Sequence, residues 1–176
     1  GNTLGVFQLE SAGMRSFMKQ LKPDNFEDIV AGISLYRPGP MDSIPNYINN
    51  KNNPEHVEYL HEKLKPIMEV TYGCLVYQEQ VMQVVRDLGG YSYGRSDLVR
   101  RAMGKKKMDV MEKERQYFIH GKFDDNGELE IEGCVRNGVP EDIGNKIFDD
   151  MIDFAKYAFN KSHAAAYGVL AYETAY

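Results

Sequence analysis

The stretch that decides the fold is YQEQVMQVVRDLGGYSYGRSDLVRRAMGKKK, residues 77–107. Apolar residues recur every three or four positions over residues 77–88, which is typical of an amphipathic helix. Gly89-Gly90 is expected to end that helix. Ser92 or Ser96 is expected to cap the next one. The inward residues of this second helix are predicted to be Leu98, Val99, Ala102 and Met103.

The same helical spacing recurs on both sides of this stretch. Ser11 is expected to cap the first helix, and Ser162 the last. The predicted helices cover about residues 11–21, 24–36, 77–88, 92–104, 108–120, 140–159 and 162–176.

Two segments interrupt the helical pattern. The Asn-rich residues 44–55 read as a surface loop or a frayed helix. Residues 124–138 begin with Asp-Asp-Asn-Gly, a strong turn signal, and then alternate as a strand does. The predicted fold class is therefore mainly α: a multi-helical domain with a small β excursion near 124–138.

Length and composition point to one domain. The chain has 176 residues, which is long enough to bury a hydrophobic core. Of these residues 43% are hydrophobic and 27% charged, as is typical of a globular domain. Its apolar runs are too short to span a membrane. The two cysteines, Cys74 and Cys134, form no zinc or disulfide pattern, so buried free thiols in a reducing cytoplasm are expected.

The chain ends predict a piece of a longer protein. The first residue is not Met, and the final predicted helix stops without Gly, Pro or a basic last turn. Residues 1–176 are therefore predicted to be a single domain excised from a larger chain, with 1–10 as a lead-in and 124–138 as a surface excursion.

A basic cluster stands out in an acidic chain. Five cations fall within residues 100–107, although the net charge is −5. Arg provides a planar fork for phosphate oxygens and Lys a mobile point charge, so a polyphosphate or nucleic-acid backbone is one reading. A solvated helix C-terminus, favoured by the helix dipole, is the other. Arg100 and Arg101 are about 100° apart on a helix, so one can reach a ligand while the other pins the helix.

Two further features are weaker. Arg37 precedes Pro38-Gly39-Pro40, a rigid turn that is either a plain linker or a loop facing phosphate or template. His56 and His61 are five residues apart, and metal-binding pairs on a helix prefer three or four. These histidines are expected to be exposed, and no metal site is predicted.

Seven blocks in the same order resemble the bacterial C-family replicative polymerases, the DNA polymerase III alpha subunits. Any one block would be weak, but together they run through nearly the whole chain. The blocks are Gly5-Val6-Phe7-Gln8-Leu9-Glu10-Ser11, Tyr36-Arg37-Pro38-Gly39-Pro40-Met41, Thr71-Tyr72-Gly73, Tyr77-Gln78-Glu79-Gln80-Val81-Met82, Gly90-Tyr91-Ser92, Arg100-Arg101-Ala102-Met103-Gly104-Lys105-Lys106 and Phe159-Asn160-Lys161-Ser162-His163-Ala164-Ala165-Ala166-Tyr167.

The resemblance implies the fingers domain, which starts just after the palm. Such a domain holds the incoming deoxynucleoside triphosphate and helps to position template-primer DNA. The resemblance also implies a location in the bacterial cytoplasm. The catalytic aspartates and the Mg²⁺ that they hold belong to the palm, so none is expected here. The implied partners are nucleotides, template-primer DNA, the palm, thumb and PHP domains, and through them the replicase holoenzyme.

The resemblance also implies which residues contact the nucleotide and the DNA. His163 is a candidate general acid or hydrogen-bond donor, with helix packing as its alternative. Tyr167 could stack on sugar or base or belong to the core. Asn160 could instead be a helix C-cap, and Gln78 could be a surface amide beside the cleft. The expected triphosphate contacts are Arg100, Arg101, Lys105, Lys161, His163, Asn160, Tyr167 and Gln78, and the expected DNA contacts are Arg37, Arg95, Lys106 and Lys107.

One departure from the family pattern concerns Arg95, where relatives often carry an acidic residue. An acid there would complete a capping box with Ser92, and Arg95 cannot. The alternative function is a structural module that docks other polymerase domains, in which the basic cluster only pairs with them.

Overall fold

The computed structural model describes residues 2–105 and 107–176, which form two compact units. The first unit comprises residues 2–57, 70–77 and 159–176. The second comprises 58–69, 78–105 and 107–158. The prediction of a single domain stays a prediction.

The described residues are mainly helical, which confirms the predicted fold class. Short 3₁₀ turns occupy Pro40–Ser43, Pro54–His56, Glu62–Leu64 and Glu69–Thr71. The remaining elements are α1 Ala12–Leu21, α2 Phe26–Leu35, α3 Ile44–Asn52, α4 Lys65–Met68, α5 Gln78–Gly89, α6 Tyr93–Gly104, α7 Met108–His120, β1 Lys122–Phe123, β2 Leu129–Ile131, α8 Glu141–Ala155 and α9 Lys161–Ala175.

In the first unit, α2 packs closely against α9. A side chain at Gly168 of α9 would place its Cβ 3.1 Å from the Phe26 ring, so glycine allows this approach. Helix α1 begins at the predicted cap, because the Ser11 hydroxyl accepts a hydrogen bond from the Met14 amide. The apolar stripe of α1 is buried at Met14, Phe17, Met18 and Leu21.

The Asn-rich segment is more ordered than the sequence indicated. It forms helix α3, and Tyr47 in its middle is fully buried. Two asparagines turn inward: the Asn50 amide donates to the Tyr72 carbonyl at 2.8 Å, and the Asn46 amide lies 3.5 Å from the Cys74 sulfur. Contacts with a distant part of the chain thus stabilise a helix that local composition does not favour.

The second unit has its own core. The α5 stripe of Val81, Val84, Val85 and Leu88 is buried as predicted. The Phe118 ring on α7 lies 5.6 Å from the Phe148 ring on α8, measured between centroids. These helices enclose an aromatic centre.

The prediction that Leu98 faces inward is wrong, since 64% of it is exposed. Ser96 takes an inner place on α6 instead. Its hydroxyl donates to the Tyr93 carbonyl at 2.6 Å, which satisfies a polar group that would otherwise be costly to bury. The buried residues of α6 are Ser96, Val99, Ala102 and Met103.

The predicted β excursion is a short antiparallel hairpin, with β1 paired to β2. Asp124 organises the turn: its carboxylate accepts hydrogen bonds from the backbone amides of Asn126 and Glu128. From Ile131, the last residue of β2, the chain returns to the interior of the second unit, where Ile131, Cys134 and Val139 are buried.

Both cysteines are free and buried, as predicted. Burial raises the pKa of the Cys74 thiol to about 11 and that of Cys134 to about 12. We expect neither thiol to react with a chromogenic disulfide reagent at pH 8, and both to react once urea unfolds the chain. Because these folded-state pKa values lie above the ordinary 9.0, the thiols' contribution to stability is complete below about pH 9 and is lost as pH rises further. Rapid reaction without urea would contradict this burial.

None of the helices in the described ranges combines the length and apolar character needed to cross a membrane.

Candidate functional site

The basic cluster begins at the C-terminal end of α6, where Asp97 pairs with both arginines. An Nη2 atom of Arg100 lies 2.7 Å from one carboxylate oxygen, and that of Arg101 lies 2.8 Å from the other. The hydrogen bond from Arg100, followed by the charges of both arginines, holds the pKa of Asp97 below its ordinary value of 3.8. The carboxylate therefore stays ionised at neutral pH and orients the two guanidinium groups.

The two arginines differ in their access to solvent. The Arg100 side chain is 21% exposed and also donates to the Gln78 side-chain oxygen at 3.2 Å. Gln78 in turn donates to the Ala158 carbonyl at 3.3 Å. The Arg101 side chain is 62% exposed. Arg100 is thus held within the second unit by Asp97 and Gln78, whereas most of the Arg101 side chain is open to solvent.

The lysines of the cluster follow directly. Lys105 ends α6, and its backbone amide donates to the Arg101 carbonyl. Lys107 precedes α7, and both side chains are exposed. Lys106, an expected DNA contact, lies outside the described residues.

Arg95 is held by acidic neighbours within the second unit. Its guanidinium lies 2.7 Å from Glu114 and 3.1 Å from Glu130, and it stacks 5.3 Å from the centre of the Tyr117 ring. Its side chain is mostly buried. The two ion pairs balance the charge of this guanidinium within the second unit. Its expected DNA contact stays a prediction.

In the first unit, the expected site residues gather at the start of α9. Asn160 caps this helix, since its side-chain oxygen accepts the His163 amide at 2.8 Å. The prediction that Ser162 is the cap is wrong, because Asn160 has the extended backbone that precedes the first turn. The alternative considered for Asn160, a helix C-cap, is also wrong, because Lys156 ends the preceding helix and Asn160 caps the start of α9.

Lys161 is the first residue of α9 and pairs with α2. Its Nζ lies 3.0 Å from a Glu27 carboxylate oxygen and 5.2 Å from the centre of the Tyr77 ring. About a third of its side chain is exposed. A phosphate contact by Lys161 has to compete with this carboxylate.

A series of rings runs past the start of α9. The Arg37 guanidinium lies 4.4 Å above the Phe159 ring, and burial lowers the pKa of Arg37. The His163 ring lies 5.8 Å from Phe159 and 4.4 Å from Tyr167. Tyr167 also meets Phe7 edge-on at 5.4 Å. Tyr167 is therefore packed between two rings, while His163 is exposed at the helix surface.

The expected site residues thus fall into two sets, one in each unit. Gln78, Arg95, Arg100, Arg101, Lys105 and Lys107 belong to the second unit, and Arg37, Asn160, Lys161, His163 and Tyr167 to the first.

Sequence reasoning missed Asp97. Its position three and four residues before the arginines is the spacing at which helical side chains pair, so the signal was present. Glu27, which pairs with Lys161 across 134 residues of sequence, has no comparable local signal.

The described residues do not fit a metal ion. No group of three or more His, Cys, Asp and Glu side chains is gathered for one anywhere in 2–105 or 107–176. His56 is exposed and lies nearest the carboxylate of its neighbour, Glu55.

Comparison with known proteins agrees with the resemblance seen in the motifs. Residues 1–126 match the model of the bacterial DNA polymerase III alpha subunit finger domain. The chain is 50% identical over 172 residues, 98% of its length, to DNA polymerase III subunit alpha of Staphylococcus aureus strain Mu50. It is 48% identical over its full 176 residues to that of Staphylococcus epidermidis strain ATCC 12228.

The chain spans about 15% of the length of these curated relatives. The matched region includes the blocks that carry the basic cluster, and the matches to the relatives extend over α9 as well. The chain therefore belongs to the family of bacterial DNA polymerase III alpha subunit finger domains.

Proposed function

We propose that this chain binds the incoming deoxynucleoside triphosphate and helps to position template-primer DNA in a DNA-directed DNA polymerase. The observation that carries the proposal is the arginine pair on α6, oriented by one carboxylate in a member of the fingers family. A guanidinium that is already oriented loses little conformational entropy when it contacts a phosphate. More of the interaction energy therefore contributes to the free energy of binding.

In the second unit, Arg101 and Lys105 are the expected phosphate contacts because their side chains are exposed. Arg100 supports them through Asp97 and Gln78. A triphosphate competes well for Arg101, since it offers several charged oxygens where Asp97 offers one carboxylate. Lys107 is the expected contact with the DNA backbone.

In the first unit, the start of α9 is a second expected phosphate contact. The backbone amides of a helix's first turn favour anions, and Lys161 adds a cation there. The exposed His163 is the candidate hydrogen-bond donor to a phosphate or sugar oxygen. Arg37 lies close to this turn through its contact with Phe159, which supports its expected role near DNA.

Catalysis requires more than this chain. Two-metal nucleotidyl transfer needs carboxylates that hold the ions, and the described residues gather no such group. We propose that the Mg²⁺ ligands and the catalytic aspartates are supplied by the palm of the complete subunit, and that the thumb and PHP domains complete the polymerase.

Because the metal ligands and catalytic aspartates are proposed to lie in the palm, we expect the 176-residue chain alone to have no polymerase activity. A primer-extension assay with Mg²⁺ and all four nucleotides should show no incorporation above a reaction without protein. A complete alpha subunit containing this chain is the positive control. Incorporation by the chain alone would overturn the proposal.

A second candidate function is a module that docks other polymerase domains. The last helix favours it, because α9 exposes an apolar stripe on the side away from its packed residues. The members of this stripe are Val169, Tyr172 and Tyr176, with Leu170 exposed beside them. The two functions are compatible within one enzyme, and charge reversal on α6 separates them as described in the Discussion.

A further inference from the structure

An open pocket of about 280 Å³ lies in the second unit, and none of its lining residues is among the expected nucleotide or DNA contacts. Helix α5 provides most of its lining from one face, and Tyr93 at the start of α6 provides an aromatic wall. The lining residues are Glu79, Met82, Gln83, Arg86, Asp87 and Tyr93.

Tyr93 is the most informative residue of this pocket. It is 69% exposed, although the burial of an aromatic ring is normally favourable. The Arg86 guanidinium lies 5.3 Å from the centre of its ring, which fixes one side of the ring. A ring that is held from one side and open to solvent is suited to stacking against a planar ligand.

The charges of the pocket indicate which part of a ligand enters it. Two carboxylates, Glu79 and Asp87, outnumber the one guanidinium, so a phosphate group is disfavoured. A nucleobase is planar and uncharged, and the side-chain amide of Gln83 can both donate to and accept from its edge. The pocket therefore suits a nucleobase and disfavours the charged phosphate backbone of a nucleic acid.

The phosphate backbone of a nucleic-acid ligand fits further along α6. Tyr93, Asp97 and Arg101 are spaced four residues apart and therefore lie on the same side of this helix, where Tyr93 and Arg101 are exposed. Eight residues of α-helix span about 12 Å, which is between three and four nucleotides of a strand stacked at about 3.4 Å per nucleotide. Lys107, which follows the C-terminal end of α6, is exposed and is not among the triphosphate contacts, so it would attract the phosphates of a strand whose base occupies the pocket.

We propose that this pocket binds an unpaired base of single-stranded DNA, stacked on Tyr93, in the complete polymerase. The strand lies along α6, with its base in the acidic pocket and its phosphates toward the basic end of the helix. Stacking reads no sequence, so the site accepts any base, as a template-strand contact requires.

The test measures binding of a single-stranded oligonucleotide to a complete alpha subunit that contains this chain. Tyr93→Ala should weaken binding roughly 5- to 100-fold, while Tyr93→Phe keeps the ring and should bind within about twofold of the parent. The salt dependence of binding should keep its slope in Tyr93→Ala, because no phosphate contact is lost. Phe123→Ala, which removes an aromatic ring of comparable exposure (55%) from β1, is the matched control and should bind as the parent does.

A second readout locates the base. Oligonucleotides carrying 2-aminopurine at successive positions should show quenching at one position that Tyr93→Ala relieves and Tyr93→Phe retains. Unchanged affinity and fluorescence in Tyr93→Ala would overturn the proposal, and would leave a polypeptide as the ligand to seek. A raised nucleotide KM with unchanged oligonucleotide binding would also overturn it, because the base would then be that of the incoming nucleotide.

These outcomes are separate from those that test the triphosphate contacts. The proposed function predicts a raised nucleotide KM for changes at Arg100 and Lys105. The pocket predicts an unchanged nucleotide KM for Tyr93→Ala. Either result can fail while the other holds.

Discussion

Replacing Phe118 with alanine is expected to lower the free energy of unfolding by about 3–5 kcal/mol, the range for large-to-small changes of aromatic residues in a core. Phe118 is fully buried, and its ring lies near Phe148 and Tyr91. A Cβ at Gly89 would lie 2.8 Å from the same ring, so α5 approaches it closely. Alanine would leave a cavity that three surrounding elements cannot easily close.

Urea unfolding followed by circular dichroism measures this loss. The control is Phe123→Ala in the hairpin, where the ring is 55% exposed and the expected loss is below about 1 kcal/mol. Equal losses in the two variants would show that the aromatic centre of the second unit does not stabilise the fold as described.

Reversing the charges of Arg100 and Lys105 together is expected to raise the nucleotide KM of a complete polymerase roughly 100-fold or more. Each charge-assisted hydrogen bond contributes about 1.5–3 kcal/mol, and each 1.4 kcal/mol changes affinity tenfold. Glu in place of Arg100 would also repel Asp97 and disturb the orientation of Arg101. The double variant therefore removes the expected Lys105 contact and misplaces the Arg101 guanidinium, so both expected phosphate contacts of this unit are weakened.

Steady-state kinetics and a thermal unfolding curve are needed for the same variant. Lys113→Glu, which reverses an exposed charge on α7, is the matched control and should leave KM within about twofold. A raised KM with unchanged unfolding supports nucleotide binding. An unchanged KM contradicts it, and loss of folding would assign the cluster to domain docking instead.

Much of this fold could be predicted from local patterns. The stripe of α5, the Ser11 cap and the turn at Asp124 each depend on residues close in sequence. The helix α3 could not be predicted so well, because its asparagines bond to residues more than twenty positions away. Leu98 shows the same limit, since spacing alone did not place it on the exposed side of α6.

The candidate site could likewise be predicted only in part from the sequence. The basic cluster is visible in the sequence, and Asp97 could have been found from its helical spacing to the arginines. The ring series from Arg37 to Tyr167 joins distant segments, so only the folded chain reveals it. The difference in exposure between Arg100 and Arg101 likewise depends on the position of Gln78.

The most direct test of nucleotide binding is hydrogen–deuterium exchange in a complete alpha subunit bound to primer-template DNA. Adding a correctly paired deoxynucleoside triphosphate with Mg²⁺ should slow exchange in peptides from the end of α6, residues 97–105, and the start of α9, residues 160–164. The same experiment with an unpaired nucleotide is the control. Unchanged exchange in both segments, with nucleotide demonstrably bound, would contradict the account.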